Sequence, residues 1–185
     1  MKTKQLPIPA RKILTQIINE MKISDHISLA EATKSITAQR LGIDNTPDDK
    51  TIDRMKLVAN HIFEPLRNYF GVPIKIESFY RCETLNKVIG GAVGSQHLIG
   101  EAMDIDDDFG EISNRQIFVY IAQYLEFDQL IWEFGNDNSP DWVHASYSTN
   151  NRHKLSVAYK KNGYTKYEHF TSLESLYMFL DDLYN

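Results

Sequence analysis

Cysteine is almost missing from this chain, since Cys82 is the single one in 185 residues. One thiol excludes an intrachain disulfide framework and cannot build a cysteine-rich metal site, so Cys82 reads as a small buried thiol. Positive charge is also short. Against 20 Lys and Arg stand 25 Asp and Glu, a formal net charge of -5. That balance argues against affinity built on neutralising many phosphates and makes nucleic acid an unexpected partner. No apolar run approaches the length needed to cross a bilayer, so membrane insertion is not expected. The start, Met1-Lys2-Thr3-Lys4-Gln5-Leu6-Pro7-Ile8-Pro9, has the basic opening of a signal peptide without the apolar stretch that should follow. The expectation is a protein that stays cytoplasmic until it is released or exported by another route. Internal repeats and low-complexity tracts are absent as well.

What the chain does have is apolar content of 42%, enough for one well-buried core. The expected organisation is one domain over residues 1–185, acting as a monomer. It divides into a helical part over 1–70, a core over about 71–150, and a C-terminal hairpin and helix over 151–185. Helical spacing predicts amphipathic helices at Arg11 to Met21, Thr51 to Phe70 (broken near Pro65), Ser113 to Leu125 and Leu173 to Leu183. A capping pattern at Ser28 and Glu31 predicts another helix running to about Leu41. Gly42 to Asp49, rich in turn formers and acids, reads as an exposed loop. Alternation predicts strands at Ile74 to Ser78, Glu101 to Asp106, Asp128 to Glu133 and Trp142 to Tyr147. Two more flank Asn162-Gly163, a strong hairpin signal. Helices lead, strands follow and no βαβ repeat appears, so the class is α+β, a small antiparallel sheet packed against several helices.

Within that frame, Ser95-Gln96-His97-Leu98-Ile99-Gly100-Glu101-Ala102-Met103-Asp104 is answered about forty residues later by Asp141-Trp142-Val143-His144. Two imidazoles and a carboxylate are the ligand set of an open zinc site that leaves a fourth position for water. His97 and Asp104 lie seven positions apart across a glycine turn. They converge with His144 on one ion if the strands carrying Asp104 and His144 are neighbours. Asp141, beside His144, is assigned general base and acid. Glu133 is its rival, or else a group that orients a ligand histidine. Arg81 is the candidate for anchoring a substrate carboxylate or stabilising the oxyanion, against a plain ion pair with Glu77 or Glu83. His61 reads as a packing or surface residue. His153 is the spare ligand should His144 not serve. The run Asp104 to Asp108 lacks the spacing of an EF-hand calcium loop and reads as a solvated turn.

Ser78-Phe79-Tyr80-Arg81, Leu85 to Gly91, Ser95 to Asp104 and Trp142-Val143-His144 resemble the zinc D-alanyl-D-alanine carboxypeptidases and the phage L-alanyl-D-glutamate endopeptidases. The resemblance covers roughly Leu29 to Tyr147, and the Ser-x-His-x-x-Gly-x-Ala-x-Asp string is its most specific motif. It implies a peptidoglycan peptidase with a small Hedgehog/D-Ala-D-Ala peptidase-like fold, one Zn²⁺, and the peptidoglycan stem peptide as partner. By the same resemblance His97, Asp104 and His144 are the ligands and Asp141 is the acid and base. Arg81, Ser95 and Gln96 lie on the substrate side. Many relatives carry Glu where this chain has Asp141. A competing class is a catalytically silent wall-binding or virion module that keeps the fold, and the intact set of ligands and acids favours the enzyme.

Overall fold

The computed structural model describes residues 21–185. The helix expected at Arg11 to Met21 therefore lies outside the described residues except for its last position. Ser28 caps a short helix α1 (Leu29–Ala32) as its sequence implies, accepting from the Glu31 N–H at 3.1 Å. The helix does not run on to Leu41. Thr33 turns its N–H and its hydroxyl back onto the Leu29 carbonyl. Ser35 then opens a second helix, α2 (Ile36–Leu41), closed by Gly42 at φ 63°.

Asp48 caps the next helix, α3 (Asp49–Val58), which passes through a π turn (Ala59–Phe63) into α4 (Glu64–Phe70). Pro65 does not break this rod, because the wider turn just before it absorbs the missing donor. Glu64 N–H bonds the Ala59 carbonyl five residues back, so the chain enters the proline in a shifted register. Further on come α5 (Glu83–Val88), a 3-10 turn (Gln96–Ile99), α6 (Asn114–Tyr124) with a full capping box between Ser113 and Gln116, and α7 (Leu173–Tyr184).

Six strands form one sheet in the order β1-β2-β4-β3-β5-β6: β1 (Lys75–Ser78), β2 (Ala102–Asp106), β3 (Gln129–Glu133), β4 (Trp142–Ser146), β5 (Lys154–Lys161) and β6 (Tyr164–Phe170). The expected antiparallel sheet is in fact mixed, since β3 and β5 run parallel. β4 returns from β3 on one flank, and the chain then crosses to β3's other flank before β5 begins. Asn162 and Gly163, at φ 54° and 80°, make the tight turn of the β5–β6 hairpin.

The sheet is two-faced because side chains alternate along each strand. Met103, Ile105, Leu130, Trp132, Val143, Ala145, Leu155 and Val157 are buried and join Met55, Ile62, Leu66, Phe118 and Leu176 of the helices in a single core. The residues in between, including Asp104, Ile131, Glu133, His144 and Ser156, face a cleft of about 610 Å³ on the opposite side. Opposite alternation thus separates what holds the fold from what lines the cleft.

Candidate metal centre

β2 and β4 are neighbours, and their register sets Asp104 directly against His144. His97 reaches the same point from the 3-10 turn. His144 Nδ1 stands 2.9 Å from Asp104 Oδ1, and His97 Nε2 stands 3.2 Å from both. The tautomer of His97 follows from its other nitrogen: Nδ1 lies 2.6 Å from the Phe79 carbonyl, which can only accept, so Nδ1 carries the proton and Nε2 presents a lone pair. Three donor atoms therefore converge on one point. Ligand atoms around a four-coordinate zinc with bonds of 2.0–2.1 Å are about 3.3 Å apart, close to the edges of this triangle, so the set fits a small tetrahedral ion and could hold one.

The electrostatics agree with that fit. Burial would push the Asp104 carboxyl up, but the charges and hydrogen bonds of His97 and His144 hold it well below the usual carboxylate range. His97, 1% exposed, has its pKa lowered by burial, against the pull of Asp104. The neutral, ligating form of the imidazole is the favoured one.

The motif's glycine and alanine have physical reasons. Gly100 sits at φ 74°, and a Cβ there would lie 2.7 Å from Met55 Cγ and 2.9 Å from the Thr51 carbonyl. Only glycine lets the turn carrying His97 press onto α3 while in the left-handed region. Ala102 is fully buried at the head of β2.

The segment carrying Phe79 and Arg81 is tied down by a residue the sequence placed in an exposed loop. Asn45, 9% exposed, donates to the Thr33 and Tyr80 carbonyls and accepts from the Cys82 N–H at 2.8 Å. Arg81 N–H in turn donates to the His97 carbonyl. Arg81 lines the cleft half-buried, and its buried Nε has no hydrogen-bond partner among the described residues. The alternative ion pair with Glu77 or Glu83 does not form; Glu77 pairs with Lys75 instead. Burial lowers the Arg81 pKa, while Asp104 and Glu133 support its charge.

Gln96 also lines the cleft, but its amide is committed within the protein. Nε2 donates to Asp128 at 2.9 Å and Oε1 accepts from Gln129 at 2.7 Å. Asp128 is buried and receives Arg152 through its backbone N–H and its guanidinium. Burial would raise its pKa, and those donors lower it. This network braces the residue next to His97. Ser95 lines the cleft as the first residue of the turn and makes no cap bond with its hydroxyl.

The two carboxylates weighed for proton transfer part company. Asp141 stands in the bend just before β4 begins and is not among the residues that line the cleft. Its backbone bonds Glu133 and Asn114, its side chain is exposed, and its charge acts on Tyr184 of α7. Glu133 is the cross-strand partner of Trp142 and lines the cleft with His97, Asp104 and His144. It is 7% exposed. Burial pushes its pKa up to about 7, with His144 and Arg81 opposing and Asp104 adding to the rise.

The remaining candidates lie elsewhere. His61 stacks on Tyr147 at 3.9 Å, and His153 pairs with Glu126 at 3.1 Å. Asp106 and Asp107 accept from Asn114 at the start of α6, and Asp108 pairs with Lys75. The Lys75 ammonium thus pairs with Glu77 and Asp108, two carboxylates of the Glu77–Asp106–Asp108 cluster.

Among known families, a profile described as Peptidase M15 matches residues 25–146. That span is 122 of the 185 residues and contains all of β1 to β4. No curated protein matches the chain. The match ends at the last residue of β4, leaving β5, β6 and α7 outside it. The chain belongs to the peptidase M15 family.

Proposed function

We propose that this peptidase is a zinc enzyme that hydrolyses an amide bond in peptidoglycan stem peptides, of the D-Ala-D-Ala or L-Ala-D-Glu type. His97 Nε2, Asp104 and His144 Nδ1 would hold the ion, and Glu133 is the general base and acid. The observation that carries this reading is the register of the sheet. Asp104 is paired with His144, Ile131 with His144 and Glu133 with Trp142, so the donor triangle and a buried carboxylate of raised pKa open onto one cleft.

The ion, when bound, polarises the scissile carbonyl and acidifies a water. Glu133 takes the proton as the water oxygen adds to the carbonyl carbon. It then hands that proton to the amine nitrogen as the C–N bond breaks. Arg81, half-buried with a buried, unpartnered Nε, directs its guanidinium donors at an anionic group of the substrate. Ser95 adds a hydroxyl at the same rim. Gln96 acts by bracing the His97 turn.

Asp141, whose side chain is exposed and does not line this cleft, is the other carboxylate weighed for the role. In this reading the carboxylate role expected of Asp141 belongs to Glu133, one strand away. The test is zinc content together with release of free amines from purified peptidoglycan, for wild type, Glu133→Gln and His97→Ala. Glu133→Gln should keep the metal and lose activity, whereas His97→Ala should lose both. A wild type that binds the sacculus and releases no amine would establish the silent wall-binding module instead.

A further inference from the structure

We propose that the β5–β6 hairpin, which lies outside the family match, forms a second arm of the cleft and binds an acidic residue of the peptide substrate through Lys154. The inference rests on the peptidase reading of the cleft. Sheet register extends the site sideways from the metal-binding group: Asp104, His144, Ile131, Ser156 and His169 lie side by side across successive strands. At about 4.8 Å per strand, the floor continues for roughly 14 Å from His144 to His169, room for about four residues of extended peptide. Ser156 Oγ and His169 Nδ1 are 2.9 Å apart and fix that floor.

The rows on either side supply the walls. Gln129 is matched with Lys154, and Glu133 is matched through Ala158 with Tyr167. Ala158 is small and fully buried, so the Tyr167 ring can cross above it toward Glu133, and both line the cleft.

The charge of this arm is the opposite of the chain's. The protein carries a net -5, yet apart from Asp104 and Glu133 the fully charged side chains lining the cleft are Arg81 and Lys154, both cations. Arg81 lies on the β1 side of the metal-binding group and Lys154 two strands beyond it on the other side. Lys154 has no carboxylate partner among the described residues, whereas Lys56, Lys75 and Arg152 each have one. Thr165, Ser156 and Tyr167 add hydroxyls, and the hairpin contributes no acid to the cleft. Such a wall suits a carboxylate two or three residues from the scissile bond, at about 3.4 Å per residue. A substrate that continues past the metal on this side, as in an endopeptidase, would supply it.

The test titrates metal-loaded Glu133→Gln with a stem peptide whose non-terminal carboxylates are free, and with the same peptide after those carboxylates are amidated. The free form should bind about tenfold tighter at low salt, with the advantage fading as salt rises. Adding Lys154→Gln should remove at least fivefold of that preference, Lys154→Arg should retain it, and both variants should melt as the parent does. No binding of either peptide, equal binding of the two, or a preference that survives Lys154→Gln overturns the proposal. Amine release by wild type is measured separately. Its absence alongside a Lys154-dependent preference would sink the catalytic reading and leave the acidic subsite standing.

Discussion

Glu133→Gln should cost activity and add stability, by an amount that depends on pH. The folded protein raises the Glu133 pKa from an ordinary 4.5 to about 7, chiefly by burial. A carboxyl whose folded pKa lies above its unfolded one binds more protons when folded, so stability falls as pH rises between the two values. Below pH 4.5 the group is protonated in both states and contributes no difference. Above pH 7 the folded protein bears the full cost of a buried carboxylate, about 3 kcal/mol at 1.36 kcal/mol per unit. Glutamine has the shape of the protonated acid and does not ionise. In chelator-treated protein, the stability of Glu133→Gln relative to wild type, from urea unfolding, should therefore climb by about 3 kcal/mol between pH 4.5 and pH 8. Zinc should shrink that gap, because a dication beside the carboxylate favours its charged form. Wild-type activity should rise with pH through the Glu133 titration, and the variant should stay inactive throughout. A stability difference flat in pH would refute the cost of burying this carboxylate, and an active variant would refute its role as base.

Other perturbations bear on the neighbouring parts of the site. Asp141→Ala should keep amine release within about twofold of wild type, since its side chain is exposed and does not line the cleft; a loss of a hundredfold would return the base to that position. Gly100→Ala should destabilise by about 2–3 kcal/mol, combining a left-handed backbone with a methyl forced against the Thr51 carbonyl, and calorimetry should show a melting point several degrees lower. Removing the metal from wild type should lower stability by about 2.7 kcal/mol relative to protein at a hundredfold excess of zinc over Kd, with zinc restoring the melting point and no such response in His144→Ala.

Much of the site was legible because its logic is local. A histidine before a glycine turn, with an aspartate seven positions on in an alternating strand, states its own geometry. The three proposed ligands could be named from residue type and spacing, Arg81 only with the help of the family resemblance, and the cap at Ser28, the hairpin at Asn162-Gly163 and the core face of β2 follow from the same short-range rules. What escaped depended on pairing between distant segments. Asp141 and Glu133 are equally acidic and equally near a strand end, and only the register that sets Glu133 against Trp142 shows which one faces the cleft. Asn45 looked like one more polar loop residue until the fold brought Thr33, Tyr80 and Cys82 around it.

The sequence by itself determined that this chain builds an α+β fold and carries nitrogen and oxygen donors that could hold a metal, because hydrophobic period and motif spacing are properties of neighbouring residues. Only the tertiary structure decided that the sheet is mixed, that Glu133 and not Asp141 shares the cleft, and that the C-terminal hairpin extends its floor. Those outcomes turn on which edge a strand joins and which way its alternation points, and strand partners far apart in the chain leave no periodic trace of that choice.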